Sequence, residues 1–152
     1  MEHLTIIAVT PDHEDLHQLI RQLDLDLLER YPAEEIFILD FTDEKINDVQ
    51  FLVAYWDDVP VGCGAIKPYD ADSTELKRFF VEASYRNRGI AKHLLMELEV
   101  KAKTMHFHSM KLEAGDAQPE ALSFYRKHGY LSIDRFGPYR DNESSVCLEK
   151  QL

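Results

Sequence analysis

Residues 84–92, Ser-Tyr-Arg-Asn-Arg-Gly-Ile-Ala-Lys, hold three cationic side chains and one glycine. A strand-like run, Glu75–Val81, precedes them. Apolar residues at helical spacing follow, from Lys92 to Met105. A strand, a short basic loop and a helix start leave backbone N–H groups without partners at the positive end of a helix dipole. That arrangement binds phosphate. One glycine is too few for a dinucleotide fingerprint, so the spacing alone does not say whose phosphate. Other reactive types are less organised. His106 and His108, and His13 and His17, lack a third ligand at metal-site spacing, so no metal is expected. Cys63 and Cys147 fall in strand-like runs with no adjacent His or Asp pattern, which argues for free thiols and against a covalent cysteine mechanism. Asp57-Asp58 and Asp70-Ala71-Asp72 read as turns rather than calcium ligands.

The elements that must position this loop follow from periodicity. Leu4–Val9 reads as a first strand. Thr10 as a cap and Pro11 in the first turn predict a helix that runs to about Tyr31-Pro32. Residues 34–48 read as a loop with a short helix. Gln50–Trp56 and Val59–Lys67 form a hairpin about Asp57-Asp58. Gly62 and Gly64 either weaken its second strand or admit a close neighbour. Thr74–Glu82 is the next strand. The following helix should bury Ile90, Ala91, Leu94, Leu95, Leu98, Ala102 and Met105. Met110–Gly115 is a strand. Pro119 opens a helix that Gly129 closes, with Ala121, Phe124, Tyr125 and His128 on its apolar face. Tyr130–Ile133, a turn-rich loop over 135–142 and a strand over 145–149 complete the chain. Hairpins mixed with helical crossovers predict an α/β (α+β) fold: a mixed sheet of six to seven strands with helices on both faces. There is no repeat and no linker, so residues 1–152 form one domain.

Composition excludes several classes. The chain is 45% hydrophobic and 30% charged, and no apolar run approaches a membrane span. No basic stretch followed by an apolar one opens it, so a cytoplasmic protein with reduced thiols is expected. A net charge of −11 argues against nucleic acid and anionic membranes as partners and favours a cationic or zwitterionic ligand. Arg86, Arg88 and Lys92 are a local exception that suits an anion.

Two motifs carry a resemblance. Arg86-Asn87-Arg88-Gly89-Ile90-Ala91 is similar to the Arg/Gln-x-x-Gly-x-Gly/Ala signature of the GCN5-related N-acetyltransferases, the GNAT superfamily. The run from Gln118 to Tyr130 resembles that family's Asn-x-x-Ala-x-x-Phe/Leu-Tyr-x-x-x-Gly-Phe/Tyr, through Ala121, Phe124, Tyr125, Gly129 and Tyr130. The element order agrees along the whole chain. Ala91 replaces a glycine but stays small. Gln118 replaces asparagine and carries its amide one methylene further out.

The resemblance implies a GNAT domain that uses acetyl-CoA and no metal. The pyrophosphate would rest on the N–H groups of Arg88, Gly89, Ile90 and Ala91, with Arg86, Asn87 and Lys92 beside them and Gln118 near the coenzyme. Gly89 would let backbone approach phosphate. Main-chain groups of Phe80 and Val81 would hold the pantetheine, and one N–H there would stabilise the oxyanion. Tyr125 would protonate or hydrogen-bond the coenzyme sulfur. An amine is mostly protonated at neutral pH, so attack on the thioester needs a proton acceptor. Glu75, a carboxylate in a predicted central strand, is the first candidate; a salt bridge to Lys77 or Arg78, or an exposed strand end, would equally explain it. Glu113 is the second candidate. Residues 24–48 and 134–145 should line the acceptor side, with Tyr139 and Arg140 as contacts. The implied reaction is direct acetyl transfer to the primary amine of a small molecule. A peptide or protein amine acceptor, or a non-catalytic acyl-CoA sensor, is the alternative. A two-fold homodimer is the default assembly.

Overall fold

The computed structural model describes residues 3–152. Seven strands form one mixed sheet: β1 (Leu4–Val9), β2 (Gln50–Trp56), β3 (Val59–Pro68), β4 (Ser73–Val81), β5 (Ser109–Gly115), β6 (Leu131–Ile133) and β7 (Ser145–Gln151). Their order is β1-β2-β3-β4-β5-β7-β6. Helix α1 (Glu14–Leu28) packs on one face; α2 (Ile90–Thr104) and α3 (Pro119–Lys127) pack on the other. The expected fold class is the one observed.

The β2–β3 hairpin turns on Asp57 and Asp58, both with positive φ (48° and 70°), the backbone twist that a two-residue hairpin requires. Gly64 admits a close neighbour: a β-carbon there would lie 2.8 Å from Cδ1 of Leu98 on α2. The start of α1 differs from expectation. Thr10 does not cap it, because its hydroxyl donates to Asp12 at 2.5 Å within a turn. His13 is the cap, and its Nδ1 accepts the Asp15 N–H at 3.2 Å. The helix also stops at Leu28, where the N–H groups of Arg30 and Tyr31 both return to the Leu27 carbonyl. The stretch expected to be a loop with one short helix holds two 3-10 helices, Ala33–Glu35 and Glu44–Asp48.

On the α1 face, Leu16, Leu19, Ile20 and Leu23 meet Phe51, Val53, Cys63 and Phe80. On the opposite face, Leu94, Leu95, Leu98 and Ala102 of α2 meet Leu52, Ile66, Leu76 and Met110. Ala91 and Met105 are only partly buried, whereas Glu99 is buried. Its carboxylate accepts from Tyr130 Oη (2.8 Å) and Lys150 Nζ (3.0 Å), so an acidic residue can sit within an apolar stripe. In α3 the buried residues are Leu122 and Tyr125, rather than all four of the residues expected on its inner face. Phe124 is partly buried and stacks on Phe79 at 6.1 Å.

One departure from sheet regularity organises the molecule. β4 and β5 pair in parallel only over Ser73–Glu75 and Ser109–Lys111. Beyond Glu75 and Lys111 the strands part. Their facing edges then lack each other as hydrogen-bond partners.

Candidate active site

A cavity of about 290 Å³ fills the gap between the parted strands. It passes through the sheet, bordered by Leu23 and Asp26 of α1 on one side and by Ala121 and Phe124 of α3 on the other.

At the α2 end lies the basic loop. Gly89 caps α2 in the left-handed conformation (φ 81°), and Asn87 is also left-handed (φ 64°). No described residue accepts from the N–H groups of Asn87 through Lys92; the first bonded amide is that of His93, to the Gly89 carbonyl at 3.1 Å. Successive free amides at a helix N-terminus form an anion cradle. The glycine is required by conformation rather than by crowding, since a β-carbon would come no nearer than 3.8 Å to His93. The cationic side chains do different things. Arg86 borders the cavity and donates its Nε–H to the Val81 carbonyl at 3.0 Å, so that carbonyl is already engaged. The Arg88 guanidinium lies between Trp56 (5.1 Å) and Tyr85 (4.9 Å) and clamps the loop. Lys92 is exposed.

β4 carries a bulge. Its register with β3 shifts between Cys63 and Ala65, and Arg78 takes a positive φ of 53°. A bulge breaks side-chain alternation. Lys77 and Arg78, adjacent in sequence, therefore both point to the α1 face, where they reach Tyr139 and Asp24 respectively. Phe79 returns to the other face against Tyr125. Phe80 and Val81 follow at the open edge of β4, with buried side chains.

Tyr125 borders the cavity, and its hydroxyl makes no hydrogen bond with any described residue. Burial, reinforced by the Glu113 charge, pushes its phenol well above the ordinary range, so it stays protonated. Glu113 also borders the cavity and accepts the Ser145 hydroxyl at 2.6 Å. Burial raises its carboxyl above the usual 4.5, against that hydrogen bond and the nearby Lys77 charge.

Glu75 lies elsewhere. It is buried, does not border the cavity, and accepts a short hydrogen bond from Tyr139 Oη. Lys77 Nζ stands 3.7 Å from the Glu75 carboxylate and donates to Tyr139 Oη at 2.9 Å. Desolvation lowers the lysine below its ordinary value. Tyr139 is thus a buried bridge between two charges that also forms part of the cavity wall. Arg140 is exposed and is not brought to the cavity, because the short helix Gly137–Tyr139 turns it outward. Gln118 borders the cavity, but its Oε1 accepts the Gly115 N–H at 3.2 Å, which ties the start of α3 to the end of β5.

Sequence reading missed Arg30 and Tyr31. Arg30 donates to Glu120 at 2.6 Å, and the Tyr31 hydroxyl accepts the Ala117 N–H at 2.8 Å. A β-carbon on Gly115 would fall 1.8 Å from that hydroxyl, so only glycine lets Tyr31 cross the end of β5. No local pattern announces this contact. Among the described residues, no three metal-ligating side chains converge.

The model of the acetyltransferase (GNAT) family matches residues 7–130. The chain belongs to the GNAT family. This GNAT chain is 35% identical to an IAA acetyltransferase of Azospirillum brasilense, over all of both chains. A solved structure from Klebsiella pneumoniae superposes with a TM-score of 0.83 at 29% identity, covering 98% of this chain and 97% of that one. A GNAT family acetyltransferase from Elizabethkingia anophelis, with acetyl-CoA bound, shares the fold at 22% identity and a TM-score of 0.74 over the full length of both chains.

Proposed function

We propose that this GNAT chain transfers an acetyl group from acetyl-CoA directly to the primary amine of a small molecule. The observation that carries the reading is the cavity through the parted strands, with free loop amides at one end and Tyr125 and Glu113 on its wall. The amides of Asn87–Lys92 suit the pyrophosphate. The unpaired edge of β4 offers main-chain groups to the pantetheine amides, and its N–H groups near Phe80 suit the developing oxyanion. The Val81 carbonyl is withdrawn from that edge by Arg86.

Glu113, rather than the enclosed Glu75, is the proton acceptor in this proposal. A carboxyl raised by burial is a stronger base and operates closer to neutral pH. The amine nitrogen bonds to the acetyl carbon, the carbon–sulfur bond breaks, and the electron pair leaves on sulfur. Tyr125 then donates a hydrogen bond to that thiolate. Its phenol is a weaker acid than a thiol of ordinary pKa ~8.5, so complete proton transfer is uphill and hydrogen bonding is its contribution.

Thiol release from acetyl-CoA across a panel of amines tests the reading. Turnover with at least one primary amine is expected. Stabilisation by acetyl-CoA without thiol release from any amine would overturn catalysis in favour of a binding module.

A further inference from the structure

The β4 bulge brings to the cavity wall a charge that acetyl transfer does not itself require. The Arg78 side chain is 4% exposed and borders the cavity. One terminal nitrogen pairs with Asp24. No described residue accepts from its Nε or its other terminal nitrogen. Among the described residues no buried side-chain nitrogen or oxygen lacks a partner, so those two donors keep accessible surface, at a residue that forms cavity wall. A guanidinium presents its donors as a planar fork, which a carboxylate matches with two parallel hydrogen bonds. Asp24 sits on one arm and leaves the rest of the fork unmatched.

The surroundings define what else the ligand carries. Lys77 stands beside Arg78 on the same face and adds positive charge, partly balanced by Glu75. Glu113 faces them from β5. Leu23, Leu27, Ile36 and Phe37 supply an apolar wall.

We infer that the acceptor is an amino-acid-type molecule whose carboxylate lies on Arg78, whose amine faces Glu113, and whose apolar side chain lies on the Leu23–Phe37 wall. This rests on the acetyl-transfer reading. It sharpens that reading within the cationic or zwitterionic ligands that the overall charge of −11 favours, by selecting the zwitterion. At the bulge Asp24 and Glu75 balance the two cations, and what remains on offer is the unmatched part of the Arg78 fork.

Acceptor pairs that differ only in the carboxylate decide the matter: phenylalanine against phenethylamine, and leucine against isopentylamine. The amino acids should show kcat/KM higher by about tenfold or more, since a site built to hydrogen-bond a group rejects analogues that lack it. Arg78→Gln should abolish the preference, Arg78→Lys should restore part of it, and Asp24→Asn should preserve it because the fork remains. Equal or faster turnover of the decarboxylated amines by the natural protein overturns the carboxylate site and leaves acetyl transfer standing. Calorimetry of phenylalanine with the coenzyme A complex judges Arg78 independently of turnover. Binding weakened about tenfold or more in Arg78→Gln supports the assignment. Binding unchanged in that variant, or undetectable in the natural protein, overturns it. Phenylalanine binding without thiol release from any amine overturns acetyl transfer while leaving the Arg78 site in place.

Discussion

The two ends of the cavity are built by different means. The loop end is made of backbone: consecutive amides from one contiguous stretch, fixed by the left-handed Asn87 and Gly89. The opposite end is made of side chains: Asp26 from α1, Lys77 and Arg78 from the bulge, Glu113 from β5, and Tyr139 from the last loop, with Asp24 behind Arg78. Backbone recognition ignores side-chain identity except where conformation demands glycine. Side-chain recognition depends on each residue and on the bulge that aims two of them. One end therefore suits a ligand recognised through backbone alone, and the other a ligand selected by side-chain identity.

Gly89→Val should break the loop end most severely. A β-branched residue at φ 81° is strained, so the loop must leave the cradle conformation. Acetyl-CoA affinity measured by calorimetry should fall about 100-fold or more while circular dichroism stays native; unchanged affinity would remove the phosphate site from this loop. Glu113→Gln is the corresponding break at the other end. It should lower kcat by about 100-fold, within the range for loss of a general base, with coenzyme affinity nearly unchanged. It should also flatten the acid limb of the pH–rate profile, a limb set by a carboxyl raised above 4.5. An unaltered limb would move the base elsewhere. Tyr125→Phe removes one hydrogen bond to a charged sulfur and should lower kcat by about tenfold, again at constant affinity. Turnover at the natural level would return Tyr125 to a packing role.

The smallest effect concerns stability. Burial raises the Glu113 carboxyl in the folded state, so the native protein holds this proton at a pH where the unfolded chain has released it. Stability from this group is fully present below the unfolded value near 4.5 and declines as pH rises through the higher folded value. Glu113→Gln lacks that decline. Its melting temperature relative to the natural protein should rise between pH 4 and pH 7, about a degree or a few. A difference independent of pH would mean that Glu113 is not desolvated.

This contrast also explains what could be read in advance. The loop and its glycine are contiguous, and Tyr125 belongs to a second contiguous motif, so both were legible. The seven-strand mixed sheet was legible from hairpin and helix periods. The side-chain end of the cavity was not, because its parts lie far apart in sequence and meet only through tertiary packing. The sequence marks Glu75 as an ionised group in a central strand that needs a purpose or a partner; Tyr139 and Lys77 are its partners. Arg140 was grouped with Tyr139, yet a short helix separates their directions. One missed signal was present: Lys77-Arg78 places two cations side by side within a strand, a break in alternation that a bulge produces. The Thr10 cap failed for a local reason, since Asp12 offered its hydroxyl a nearer acceptor.

Arg88, held between Trp56 and Tyr85, has a consequence for timing. A loop already clamped in its receiving shape has lost its disorder during folding, so little remains to be lost when an anion arrives. Association would then be limited by diffusion and charge rather than by rearrangement. Trp56 is the chain's single tryptophan, so its emission offers an internal gauge of the clamp. A one-step, concentration-proportional fluorescence change on mixing with coenzyme A is the signature of a cradle that exists before its occupant.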